Sequence, residues 1–333
     1  MIIKNENMGN FFRKIKNFKE SGILIVLLGM YALVSILSPN FCSMYNFGVL
    51  LKAITYLCFI ALAQHIVLLL GDIDLSVGAI AAFSGVICGY AMGQFGIPIV
   101  PSIIIGLGIG VLCGLLNGLI VTLLRVNALI ATLGTQGIFI GLTLVITKGS
   151  AVMGLPKGFF FLGQKVFLDF IPLAFIIMIV ALIIITIILR KTPFGRHIFA
   201  VGSNKEAARV VGLRVNQVKI KAFMMSGLLS SMAGILMVSR LTSAQPSIGD
   251  GWIMPSVAAC VLGGTPLTGG EGSTLGVLIG VAILSIIENS IVLLGISPYW
   301  QTFVSGLVVV IAVAVDSMRQ RSSLKKKILI EQK

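Results

Sequence analysis

Residues 190–221, RKTPFGRHIFAVGSNKEAARVVGLRVNQVKIK, carry eight of the 25 Lys and Arg residues of a 333-residue chain that is only 11% charged. A chain this apolar that keeps one basic, helix-forming stretch between long hydrophobic runs presents that stretch to water or to an aqueous partner. Ser203 and Glu206 fit the S-x-x-E capping box, so a helix is expected to start at Ser203. Ala207, Ala208, Val210 and Val211 give it a small apolar face, and Gly212 supplies the left-handed residue that ends it. Two to three turns, roughly, are too few to be stable alone in water, so the helix is expected to dock on something. The plainer reading is a solvated basic loop whose charge only fixes membrane orientation.

The flanking runs set the class. Hydrophobic residues make up 57% of the chain, and many runs approach the roughly 20 residues that cross a bilayer. The expected fold is all-α: a polytopic helical membrane protein of about ten transmembrane helices with both termini cytoplasmic. The net charge of +14 does not point to nucleic acid, because the basic residues sit at the ends of apolar runs without aromatic interleaving. Cys42, Cys58, Cys88, Cys113 and Cys260 are scattered, with no C-x-x-C spacing, and read as small apolar filler. The first apolar run lacks a convincing small-residue cleavage site and is taken as a retained anchor.

The expected organisation is a basic tail over residues 1–20, a transmembrane domain over 21–318 that contains the polar loop 190–221, and a second basic tail over 319–333. Spans are expected near residues 22–37, 47–70, the stretch ending at Gly93, 99–123, 129–146, 171–189, 222–238, 253–262, 275–294 and 301–315. The glycines of the fourth, Gly106, Gly108, Gly110, Gly114 and Gly118, allow close helix approach. The eighth is too short to cross unless it takes in part of the glycine-rich 263–272 or re-enters the membrane. Ten spans put twenty of the 25 basic residues on the side of the tails and the central loop. The opposite connections hold only Lys148, Lys157, Lys165 and Arg240, the asymmetry of a cytoplasmic face.

Gly264-x4-Gly269 begins like a phosphate-binding loop, but Gly270-Glu271 stands where Lys-Ser/Thr is required, so the chain carries no ATP site of that kind. No catalytic residues, metal ligands or cofactors are expected. What remains is intramembrane polarity. Asp72 and Asp74, two residues apart, cannot share a helix face, which favours a turn or a broken helix. They line a solute path or hold a gate on one reading, and on the other Asp74 caps the next helix. Glu288 and Asn289 are either path residues or hydrogen-bonding partners between packed helices. Asn117, Thr132 and Thr135 suit recognition of a neutral polyol, although threonine also bonds its own helix backbone. His65 reads as a packed or hydrogen-bonded histidine.

Four stretches in one order carry a family resemblance: Leu70-Gly71-Asp72-Ile73-Asp74-Leu75-Ser76-Val77-Gly78, Asn127-Ala128-Leu129-Ile130-Ala131-Thr132-Leu133-Gly134-Thr135, Phe194-Gly195-Arg196 through Ala207-Ala208-Arg209, and Val261-Leu262-Gly263-Gly264-Thr265 with Gly269-Gly270. Over about residues 45–318 the chain resembles the ribose/xylose/galactose-type permeases of bacterial ABC importers. The resemblance implies a subunit of the bacterial inner membrane that pairs with a second permease protomer. Such a subunit receives solute from an extracytoplasmic binding protein and couples to cytoplasmic ATPase subunits. It makes the helix from Ser203 to Gly212 a coupling helix that enters a groove on the ATPase. The coupling set is then Gly195, Arg196, Gly202, Ser203, Asn204, Glu206, Ala207, Ala208, Arg209 and Gly212. The sequence departs from the family at Trp252-Ile253-Met254-Pro255-Ser256, where an acidic residue is common, and at Glu288, where an amide is frequent. The expected function is therefore the permease subunit of an ATP-driven importer of a monosaccharide or sugar-like solute. The alternative is an ion-coupled secondary transporter using Asp72, Asp74 or Glu288.

Overall fold

Runs of Leu, Ile, Val, Ala and Gly, punctuated by Pro, Asn and paired glycines, become helices that end at those breaks. In a computed structural model these are α1 (Ser21–Leu37), α2 (Met44–Leu68), α3 (Val77–Gly93), α4 (Ile99–Leu123), α5 (Ala128–Thr147), the single turn α6 (Phe161–Gln164), α7 (Leu173–Lys191), α8 (Pro193–Ser203), α9 (Lys205–Val210), α10 (Val215–Leu241), α11 (Ile253–Leu262) and α12 (Thr274–Leu293). A two-residue antiparallel hairpin, β1 (Val166–Phe167) and β2 (Ile171–Pro172), leads into α7. The structure describes residues 21–297 together with 299–304, 306–308, 310, 311, 314 and 318. The tails 1–20 and 319–333, and part of the expected tenth span, lie outside the described residues. Among the described residues α2, α4, α5, α7, α10 and α12 are long and apolar enough to cross a membrane, and α1, α3 and α11 are shorter apolar helices.

The apolar windows of α2 and α10 are 72% buried against 28% for α4 and α5, so α2 and α10 form the centre and α4 and α5 the periphery. Every fourth residue of α4 from Gly106 to Gly118 is glycine, and this stripe meets α10. A side chain at Gly114 would strike the Phe223 carbonyl, and one at Gly118 would strike the Ile220 backbone. Close backbone approach of this kind replaces the hydrophobic drive that lipid removes. Gly108 faces open space and takes no part in the seam. Helix α10 begins seven residues before the expected span, because Val215 and Val218 are buried while Asn216 and Gln217 face out.

Non-helical stretches interrupt this packing in two places. After α2 the chain is non-helical over residues 69–76 before α3 rises. Alongside α3, residues 242–252 descend without helix, with Ala244 packed on Gly89 and Gly249 on Gly78. Those two glycines are eleven positions apart, about 16 Å along the helix axis. Helix α11 then continues to Leu262, and 263–273 is again non-helical. Helix α11 is thus flanked by non-helical chain on both sides. Glycines at positive φ (Gly249, +87°; Gly251, +78°) keep the stretch before α11 out of helix, and α3 packs along its backbone.

Candidate functional site

Thr192 caps α8 through its hydroxyl, which accepts from the Gly195 amide, and Gly195 packs directly on the Leu189 backbone, turning the chain sharply out of α7. At the other end of α8, Gly202 lies against the Leu69 carbonyl and the Gly270 amide, where any side chain would collide. The Gly270 amide itself donates to Leu69 O at 2.9 Å, and the Ser203 hydroxyl reaches Gly270 O at 3.5 Å. The end of α8 therefore sits on the point where the non-helical segments 69–76 and 263–273 meet.

The next helix is not capped as expected. Ser203 is the last residue of α8, and Asn204, with φ −159° and ψ 103°, is the N-cap of α9. Its Oδ1 accepts from the amides of Glu206 and Ala207 at 3.1 and 2.9 Å. Glu206 does not reach back to close a box but pairs with Arg209 at 2.7 Å on the surface. Ala208 is buried, Ala207 and Arg196 are exposed, and Val210 and Val211 are 87% and 74% exposed. Gly212, at φ +84°, ends the helix as expected. Lys205, at the start of α9, has its pKa lowered by burial first and then by the charges of Lys219 and Arg209.

The break at 69–76 sends its two carboxylates to different heights on α10. Asp72 pairs with Lys219 at 2.5 Å, both side chains being largely buried. Asp74, fully buried, accepts from the Ser76 amide (2.9 Å), the Ser76 hydroxyl (2.6 Å) and the Ser226 hydroxyl (3.1 Å). Asn117 donates to Ser76 Oγ at 2.7 Å, and Thr135 donates to Asn117 Oδ1 at 2.6 Å. Thr132 bonds the Ala128 carbonyl and receives the Leu75 amide at 3.0 Å. The shortest hydrogen bonds of Thr135, Asn117 and Ser76 form a chain that leads to Asp74, while the Thr135 hydroxyl also lies 3.2 Å from the Thr132 carbonyl. With its amide oriented to suit, Gln64 bonds the Asp74 backbone in both directions, at 2.8 and 3.3 Å.

Asp74, Asn117, Thr132 and Thr135 thus belong to one buried network that ties the break to α2, α4, α5 and α10, while Asp72 stands apart on its lysine. Asn289 is elsewhere, exchanging two hydrogen bonds with Asn46 of α2 at 3.1 and 2.9 Å. Glu288, the residue before it on α12, is half-buried. His65 meets Thr265 at 2.9 Å, joining α2 to the second non-helical segment. Sequence reasoning did not single out Gln64, Lys219 or Ser226 as site residues. The seven-residue spacing of Lys219 and Ser226 was the available signal, since it puts both on one face of α10.

The family described as branched-chain amino acid transport system / permease component matches residues 46–313. The chain is 43% identical over 300 residues to the ribose import permease protein RbsC of Bacillus subtilis (strain 168), covering 90% of this chain and 92% of that one. It is 33% identical over 317 residues to the autoinducer 2 import system permease protein LsrC of Yersinia enterocolitica, covering 95% and 87%. No solved structure matches it. With its apolar helices and its lack of an ATP-binding motif, the chain belongs to this permease family and is a membrane-spanning subunit of an ABC importer whose ATPase is a separate subunit.

Proposed function

We propose that this subunit passes a monosaccharide or similarly hydroxylated solute into the cytoplasm. In this reading ten spans place both tails and residues 190–221 on the cytoplasmic side. A second protomer completes the path, and a solute-binding protein delivers from outside. The observation that carries the reading is the seating of α8 on Leu69 and Gly270. An ATPase holding α9 through Val210, Val211 and Ala207 moves α8, and α8 is rigidly packed on both non-helical segments. Closure of the ATPases then shifts the two non-helical segments together, the small displacement that a packed, bistable assembly converts into opening at one face. The candidate path residues Asp72, Asp74, Asn117, Thr132 and Thr135 act in this scheme by holding the first break in shape. Glu288 and Asn289 lie on α12, beyond that network, and serve the packing of α12 on its neighbours.

Sugar-like cargo is supported by the names of the two relatives, ribose and autoinducer 2. The decisive experiment reconstitutes the subunit with its ATPase and binding protein in vesicles. Uptake of labelled ribose is followed with ATP, without ATP and under a proton gradient, with valine as competitor. ATP-dependent ribose uptake untouched by valine is expected. Gradient-driven uptake without ATP would overturn the reading, and competition by valine would overturn the cargo assignment.

A further inference from the structure

At the end of the molecule that bears α8 and α9, a cavity of about 1000 Å³ opens between the α4–α5 turn, α9 and the start of α10. Its charge is lopsided. Arg125, Lys205, Arg209, Arg214 and Lys219 line it against a single lining carboxylate, Asp72. The ion pairs among the described residues are Lys219 with Asp72 and Arg209 with Glu206, so Arg125, Lys205 and Arg214 face the cavity with no carboxylate within 4.0 Å. Crowding of like charge is already felt at Lys205, whose ammonium is disfavoured by burial and by Lys219 and Arg209.

Two helices also begin at this cavity. Ala128, the first residue of α5, and Val215, the first of α10, are both in its wall, and no side chain caps α10. Asn127 caps α5 through the Leu129 amide and the Val215 amide is taken by Leu213 O, but no side chain caps α10, and the positive ends of both long helices favour an anion here. Beside Arg125, Leu123 and Leu124 are 66% and 69% exposed, an apolar rim continuous with the lipid-facing side of α4. Basic pockets between helix ends on a cytoplasmic face suit phosphate headgroups, and the volume accommodates one.

We infer that this cavity binds a phosphate ester, presented as the headgroup of an anionic phospholipid whose chains lie over Leu123 and Leu124. The phosphate is held by Arg125 and Arg214, with the α10 amides behind it. Bound there, it also lies beside Lys219 and so touches the ion pair that holds the non-helical segment after α2. The inference rests on the cytoplasmic placement of residues 190–221 in the proposed function.

The test titrates the full-length chain with short-chain phosphatidylglycerol, phosphatidylcholine and ribose 5-phosphate as separate probes. No nucleotide or transported solute is present, so failure of the importer reading and failure of this site are told apart. Saturable binding of phosphatidylglycerol over phosphatidylcholine is expected, weakened at least tenfold by Arg125→Gln with Arg214→Gln. Arg190→Gln with Lys191→Gln removes the same charge outside the cavity and is expected to leave binding within twofold. Equal loss in both double variants would reduce the effect to general surface charge and overturn the site. So would absence of phosphatidylglycerol binding to the folded wild-type chain. Binding of ribose 5-phosphate alone, with the same dependence on Arg125 and Arg214, would overturn the lipid assignment.

Discussion

Gly202 and Leu69 meet backbone to backbone, and a methyl group on Gly202 would occupy the space of the Leu69 carbonyl oxygen that receives the Gly270 amide. Three segments far apart in sequence are thereby fixed to one another: the end of α8, the non-helical segment after α2 and the non-helical segment after α11. Such a contact has no slack, because neither backbone can rotate away as a flexible side chain would. Gly202→Ala is expected to lower ATP-dependent uptake at least tenfold while the assembled complex still hydrolyses ATP. The ratio of solute moved to ATP hydrolysed, measured in vesicles, is the readout. An unchanged ratio would remove the junction from the coupling route.

Asp72 and Lys219 form a largely buried pair, and the consequences of breaking it are asymmetric. Removing one partner strands the other charge, which typically costs about 3 kcal/mol or more, whereas replacing both by apolar groups is often neutral. Asp72→Asn and Lys219→Met are each expected to lower thermal stability, and the double variant to recover most of the loss. A double-mutant cycle on the purified chain measures this, and additive losses would contradict the pairing.

Much of this architecture was legible because bilayer physics writes it into composition. Apolar runs gave α4 and α11 to the residue, the two-residue spacing of Asp72 and Asp74 implied the break after α2, and the repeated glycines of α4 anticipated its seam with α10. Ser203 and Asn204 were harder to separate, since either side chain caps a helix. The choice was made by α8, which continues through Ser203 and leaves Asn204 the first residue with extended backbone. The descent of residues 242–252 left no periodicity to read. The partners of Asp72 and Asp74 stand 147 and 152 residues away, and only the packing of α10 beside the break brings them there.

The capping assignment has a direct consequence. Asn204 satisfies two free amides of α9, so Asn204→Ala is expected to destabilise that helix by about 1 kcal/mol. Ser203→Ala, which removes only a long contact to Gly270, is expected to leave it intact. Hydrogen exchange over residues 205–210 discriminates the two. Faster exchange in Ser203→Ala than in Asn204→Ala would restore the capping box.

Asp74 is the acceptor at the end of a chain of hydrogen bonds, so its replacements should differ by chemistry and not by size. Asp74→Asn keeps the shape but replaces one acceptor oxygen by an NH2 group: on the Ser76 side it leaves the Ser76 amide without an acceptor, and on the Ser226 side it forces the Ser226 hydroxyl to reverse and accept; an unsatisfied buried group costs about 1–3 kcal/mol. Ser226→Ala removes one donor together with its hydrogen bond and is expected to cost about 1 kcal/mol. Loss of the network frees the first break from α4 and α10, and so Asp74→Asn is also expected to weaken the link between α8 and the path. Chemical denaturation of both variants, followed by uptake at matched protein levels, tests the order. Greater damage from Ser226→Ala than from Asp74→Asn would show that Asp74 is not the centre of the network.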